Sequence, residues 1–172
     1  MQIAIYGGSF DPPHLGHYNI VIKSLEKLEI DKIIVLPNFQ NPWKNSTKFS
    51  PQKRLELLKK LFKKYPKVEI SDFEINNGRP TKTIESILHF SKIYSKIYFI
   101  IGADNLAKLH LWDDFDKLEK ILTFVIATRG EIQIPEKYIK LEIDFEISST
   151  ELRENLDLNK IPKEIRDEFC EN

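Results

Sequence analysis

The feature that most constrains this chain is the run Gly7-Gly8-Ser9-Phe10-Asp11-Pro12-Pro13-His14-Leu15-Gly16-His17. Ahead of it, Gln2-Ile3-Ala4-Ile5-Tyr6 predicts a short buried strand; behind it, apolar residues at 15, 18, 22 and 25 predict one face of a helix. Glycine lets a ligand come close to the backbone. The first N–H groups of a helix lack intrahelical partners and suit an anion. His14 and His17, three apart, project from one side of the first turn. A capped helix carrying two surface histidines is the plainer reading. Two glycines, a Pro-Pro pair and His-x-Gly-His in one turn favour a phosphate site.

The same alternation runs on through the chain. Lys32 to Leu36 is an apolar run without period, as a strand covered on both faces would be. A loop from Pro37 to Ser50 follows, then Ser50-Pro51 supplies an N-cap and first-turn proline to a helix with Leu55, Leu58, Phe62 and Tyr65 inward. Val68 to Ile75 predicts an edge strand, 76–80 a turn, and Thr83 to Tyr94 a helix with Ile84, Ile87, Leu88 and Phe90 or Ser91 facing in. Ile97 to Ile101 is the clearest strand and stops at Gly102. A short helix opens at Ala103, another spans Asp114 to Leu122, and Phe124 to Ala127 is a fifth strand. Arg129 to Glu136 is a polar turn, Tyr138 to Ile147 a further strand, and helices start at Ser148 and Pro162, the latter ending at Phe169. Strands alternating with helices predict a doubly wound α/β fold with a mainly parallel sheet, one domain over residues 1–172. Ligands of such sheets bind beyond the carboxyl ends of the strands.

Composition narrows the partners. Acids and bases balance at 26 each, so no global field draws the chain to nucleic acid or a membrane. Arginine occurs only at 54, 79, 129, 153 and 166, which makes each one a candidate phosphate fork. Cys170, the single cysteine, excludes an intrachain disulfide and a thiol metal cage. With no apolar run of membrane length and no leader-like start, the expectation is a cytoplasmic protein, a monomer or small homo-oligomer. His89 and His110 have no companions and read as structural.

The first turn resembles the G-G-[ST]-F-D-P-x-H-x-G-H turn of the nucleotidyltransferase superfamily. It is neither a dinucleotide fingerprint nor a P-loop. Ile100-Ile101-Gly102-Ala103-Asp104-Asn105-Leu106, with Trp112 downstream, is similar to the I-I-G-x-D-S-[LF]…W segment of bacterial nicotinate-nucleotide adenylyltransferases, with Asn105 in place of serine. By itself Gly102-Ala103-Asp104 is an ordinary strand-to-helix connection. Ile147 to Arg153 resembles that family's I-S-[SA]-T-x-[IL]-R stretch, while Ser148 and Glu151 also fit a capping box. Asn41-Pro42-Trp43-Lys44 stands where the family has P-P-H-K, with Trp43 for histidine; without the resemblance Lys44 is a solvated loop lysine. Thr81 to Ile87 matches S-Y-T-x-D-T-L more weakly, with Lys82 at the aromatic position and Glu85 for aspartate.

The resemblance implies transfer of AMP from ATP to nicotinate mononucleotide. It makes His14 and His17 catalytic. ATP falls to Gly7, Gly8, Ser9, Phe10, Gly16, Gly102, Asp104, Ser148, Ser149, Thr150 and Arg153. Nicotinate mononucleotide falls to Lys44, Thr83, Asp104 and Trp112, with Trp112 stacked on the pyridine ring; core filling is the alternative for Trp112. Mg²⁺ is expected on the ATP phosphates, with no metal ligands from the protein. Phosphopantetheine adenylyltransferases share the first turn and remain the nearest other reading; a non-catalytic ATP sensor is a remote one.

Overall fold

The structure, a computed structural model, describes residues 1–41, 46–144 and 147–170. Six strands form one sheet: β1 (Gln2–Gly8), β2 (Lys32–Pro37), β3 (Val68–Ile70), β4 (Lys96–Gly102), β5 (Thr123–Ala127) and β6 (Ile139–Leu141). Their order is β3-β2-β1-β4-β5-β6, and every pairing is parallel. Helices supply the crossovers: α1 (Leu15–Lys27), α2 (Pro51–Leu61), α3 (Phe73–Asn76), α4 (Thr83–Ser91), α5 (Leu106–Leu109), α6 (Phe115–Ile121) and α7 (Ser149–Glu154).

Successive strand residues point to opposite faces, and they divide between two cores. Ala4, Tyr6, Ile33, Val35, Tyr98 and Ile100 pack with Val21 of α1 and Leu57, Leu58 and Leu61 of α2. Ile3, Ile5, Ile34, Leu36, Phe99 and Ile101 pack with Ile84, Ile87 and Phe90 of α4 and Leu118 of α6. A sheet apolar on both faces needs helices on both, and this makes the fold doubly wound. Winding reverses between β1 and β4, where Tyr6 stands beside Ile100. The crevice of such a fold opens at that reversal, here between Gly8 and Gly102 at the strand ends.

Four local expectations are corrected. Val68 to Ile75 is not one strand: Ser71 Oγ accepts from Phe73 N at 3.2 Å, which turns the chain into α3. Of the described residues from Tyr138 to Ile147, only Ile139–Leu141 pair, because Thr128 Oγ1 takes the Ile143 N–H at 2.8 Å and bends the chain off the sheet edge. Pro162 to Phe169 closes into turns and a 3-10 segment, Arg166–Phe169, with no α-helix. The inward face of α1 centres on Val21 and Ser24, both fully buried, with Tyr18, Ile20 and Leu25 at its margins. Ser24 tolerates this because its hydroxyl donates to Ile20 O at 2.6 Å. Among the described residues no helix is long and apolar enough to cross a membrane.

Candidate active site

β1 runs through both glycines, Gly7 beside Leu36 and Gly8 beside Pro37, and so delivers the turn to the end of the sheet. Phe10 then takes a positive φ of 51° and buries its ring edge-on to Tyr6 and His17. Asp11 is buried, and its carboxylate accepts from Lys48 N and Phe49 N, each at 2.8 Å. Arg54, fully buried, donates to the carbonyls of Ser9 (2.6 Å), Phe39 (2.8 Å) and Phe49 (3.3 Å). The sequence pattern puts Arg54 on a helix and suggests a phosphate fork; the structure spends its guanidinium on three loop carbonyls instead.

His14 is the N-cap of α1. Its Nδ1 accepts from Gly16 N (3.0 Å) and His17 N (3.3 Å), while His17 Nδ1 accepts from His14 N (3.2 Å). The rings stack with centroids 3.6 Å apart. A β-carbon at Gly16 would lie 2.8 Å from the His14 ring, so the cap needs glycine there. This corrects the expectation that the opening N–H groups of α1 await an anion: two of them are already satisfied by His14. With both Nδ1 atoms accepting, the neutral rings carry their protons on Nε2, and Nε2–H is the donor each can offer. Burial, helped by the Arg129 charge, holds the His14 imidazole far below its usual range, at about 3. His14 is therefore neutral at pH 7, and its Nε2–H is an uncharged donor.

The chain's last sequence motif docks on this turn. Arg153 Nη1 donates to Asp11 O at 2.7 Å, Arg153 Nη2 to Thr150 Oγ1 at 3.0 Å, and Ser149 Oγ to Pro12 O at 3.4 Å. Ser148 caps α7 through Glu151 N (3.4 Å), but the reciprocal half of the capping box is missing: Glu151 pairs with Lys160 at 3.5 Å. Gly102 ends β4, and Asp104 beside it faces Arg129 at 3.2 Å. In the sequence only the scarcity of arginine singles out Arg129. Its position just beyond β5 brings its charge to bear on His14.

Beside the turn lies a cavity of about 440 Å³, walled by Gly7, Gly8, Phe99, Thr83, Trp112, Asn105 and others. Trp112 is half-buried; it faces this cavity and also meets Phe99 and Phe124 edge-on at 6.2 and 6.5 Å. Lining and packing coexist in it. Thr83 begins α4, whose cap N–H, that of Lys82, goes to Glu85 Oε1 at 3.0 Å. Nothing among the described residues accepts from the Thr83 and Ile84 N–H groups. Lys82 pairs with Asp113 at the cavity's lip at 3.3 Å. Among the wall residues that sequence reasoning did not assign to the site are Asn38 and Glu74. Asn38 Oδ1 is buried without a donor among the described residues, and Glu74 is a buried carboxyl. Polar residues inside apolar walls carry no sequence period that could have found them. Lys44 and Trp43 lie outside the described residues. No group of three or more His, Cys, Asp or Glu side chains that could hold a metal ion occurs among the described residues.

The Cytidylyltransferase-like family matches residues 5–155. A Campylobacter jejuni protein named "Probable nicotinate-nucleotide adenylyltransferase" is 48% identical over 170 residues, spanning 98% of this chain and 94% of its own. A Sulfurimonas denitrificans protein of the same name is 48% identical over 168 residues, spanning 97% and 92%. Among solved structures, the Plasmodium falciparum nicotinic acid mononucleotide adenylyltransferase complexed with NaAD superposes with a TM-score of 0.76. It is 26% identical and covers 93% of this chain and 88% of that one.

Proposed function

The chain belongs to the cytidylyltransferase-like family, and from that premise we propose how its turn and its cavity divide one reaction between them. The reaction is transfer of AMP from ATP to nicotinate mononucleotide, forming nicotinate adenine dinucleotide and pyrophosphate in NAD synthesis. A phosphate oxygen of the acceptor attacks the α-phosphorus in line. The bond from that phosphorus to the bridging oxygen breaks, and the electron pair leaves on pyrophosphate. The acceptor is a monoester whose second pKa is about 6, so it attacks already ionised and needs no general base.

What the protein must supply is alignment and charge compensation. The Nε2–H groups of His14 and His17 serve the α-phosphate and the departing oxygen. Arg153, Ser148, Ser149 and Thr150 serve the triphosphate, and Gly102 and Asp104 border both nucleotides. Lys44 belongs to the acceptor phosphate. Imidazole N–H and guanidinium groups suit phosphate oxygens and not a cation, so Mg²⁺ would travel on the triphosphate with most of its waters. The pyridine ring fits the Trp112 wall, and its carboxylate fits the open Thr83 and Ile84 N–H groups at the start of α4. ATP and a mononucleotide as substrates suit a cytoplasmic enzyme.

The observation that carries this reading is the cavity itself, which joins Gly7-Gly8 to Trp112 and Thr83. Mixing the protein with ATP, Mg²⁺ and nicotinate mononucleotide should release pyrophosphate and form dinucleotide in equal amounts. Release with phosphopantetheine in place of the pyridine nucleotide, and none with the latter, would overturn it.

A further inference from the structure

Glu74, on α3, is 7% exposed and forms part of the wall of the acceptor cavity. Its carboxyl accepts the Ser86 hydroxyl at 2.6 Å and makes no other hydrogen bond among the described residues. Ser86 lies one helical turn beyond Thr83, on the same side of α4. The carboxyl is thereby set against the helix start whose Thr83 and Ile84 N–H groups are open.

No cation among the described residues answers it. Arg79 is held by Glu85 at 2.6 and 3.2 Å, Lys82 by Asp113 at 3.3 Å, and His89 lies flat on Phe73 with centroids 4.1 Å apart. Glu85 is the charge that acts on it from α4, and it repels. The β2 and β4 walls opposite contribute Leu36, Phe99 and Ile101, which are apolar. A buried carboxylate with one hydrogen bond and no counter-ion is costly, whereas a neutral carboxylic acid there is a donor seeking an acceptor.

We propose that Glu74 selects the substituent on the acceptor's pyridine ring. As a neutral acid it donates its O–H to the nicotinate carboxylate. As an anion it repels that carboxylate and accepts instead from the amide of nicotinamide mononucleotide. The assignment rests on the acceptor reading above and adds a titrating wall to it. Burial and the Glu85 charge, opposed by the Ser86 hydrogen bond, push the Glu74 carboxyl up to about 7. A raised carboxyl is neutral below that value and ionises above it. Binding nicotinate mononucleotide above pH 7 therefore takes up a proton, and affinity falls by up to about tenfold per pH unit.

The test is the KM for nicotinate mononucleotide from pH 7 to 8.5 at saturating ATP, where the acceptor phosphate is already ionised. The wild type should weaken severalfold or more across that range, while its KM for nicotinamide mononucleotide falls. Glu74→Gln keeps an oxygen for Ser86 and offers a permanent N–H₂ donor, so its profile should be flat. Ser86→Ala removes the hydrogen bond that favours the anion, so the break should move to higher pH. A flat wild-type profile overturns the proposal, as does a wild-type slope surviving in Glu74→Gln with unchanged ATP affinity. Should Glu74→Gln fail to bind ATP, an unmoved break in Ser86→Ala is equally decisive. Absence of any turnover of nicotinate mononucleotide by the wild type at pH 7 would instead remove the acceptor reading on which this rests.

Discussion

Two helix starts border the glycine turn and the cavity beside it, and they are finished differently. At α1 the orphan N–H groups of Gly16 and His17 are closed by the His14 side chain. Asp11, Arg54 and Arg153 then pin the turn's backbone from three sides. At α4 the cap residue's own N–H goes to Glu85, while the N–H groups of Thr83, which lines the cavity, and Ile84 have no acceptor among the described residues. On the proposed reading, the phosphate end presents side-chain donors in a rigid frame, where chemistry needs fixed geometry. The acceptor end then presents bare helix-start donors, an aromatic wall and a titratable acid, where selection needs differences between ligands.

Breaking the rigid end should cost most. His17→Ala should lower kcat by about 10²–10³-fold, with little change in the KM for ATP, because the lost Nε2–H serves charge that develops in the transition state. Arg54→Met removes a buried guanidinium and leaves three part-buried loop carbonyls without its N–H donors. It should destabilise the fold by about 3 kcal/mol, read by urea denaturation, and reduce turnover with it. His14 allows cap and donor to be separated. His14→Ala should lose about 1 kcal/mol of stability for the cap alone, and His14→Asn should restore most of that without restoring kcat. His14 also has a pH signature. Its folded value, about 3, is below the ordinary 6.5, so its contribution is complete above 6.5 and drains away as pH falls towards 3. The wild type should therefore lose more Tm than His14→Asn between pH 7 and 4.

Changes at the acceptor end should be smaller and fall on one substrate. Trp112→Ala should raise the KM for nicotinate mononucleotide severalfold, in line with about 0.5–2 kcal/mol for a cationic ring on an aromatic face. ATP affinity should stay unchanged. Lys82→Ala breaks an exposed pair with Asp113, worth about 0–1 kcal/mol. Its effect on acceptor KM should be under about threefold and should shrink as salt is added.

The sheet was legible because parallel strands buried on both faces read as apolar runs, Ile33 to Leu36 and Ile97 to Ile101 above all. The first turn was legible because glycine, proline and histidine leave few alternatives at a strand-to-helix junction. Less legible was whatever tertiary contacts decide. One hydroxyl, on Ser71 or on Thr128, ends a strand that alternation would have continued. Arg54 read as a candidate phosphate fork and Glu74 as part of an edge strand, and the fold buries both. The cap formed by His14 was hidden by the more obvious role: two histidines read as waiting for phosphate, when one ring nitrogen of each was already committed to the backbone.

The division of labour is tested most directly by steady-state kinetics of His17→Ala, Trp112→Ala and the double variant, varying both substrates. The kcat loss should follow His17 and the acceptor KM rise should follow Trp112, with the two factors multiplying in the double variant. A Trp112→Ala enzyme that loses kcat as His17→Ala does, or a double variant no worse than either single one, would contradict that division and mean that turn and cavity act as one unit.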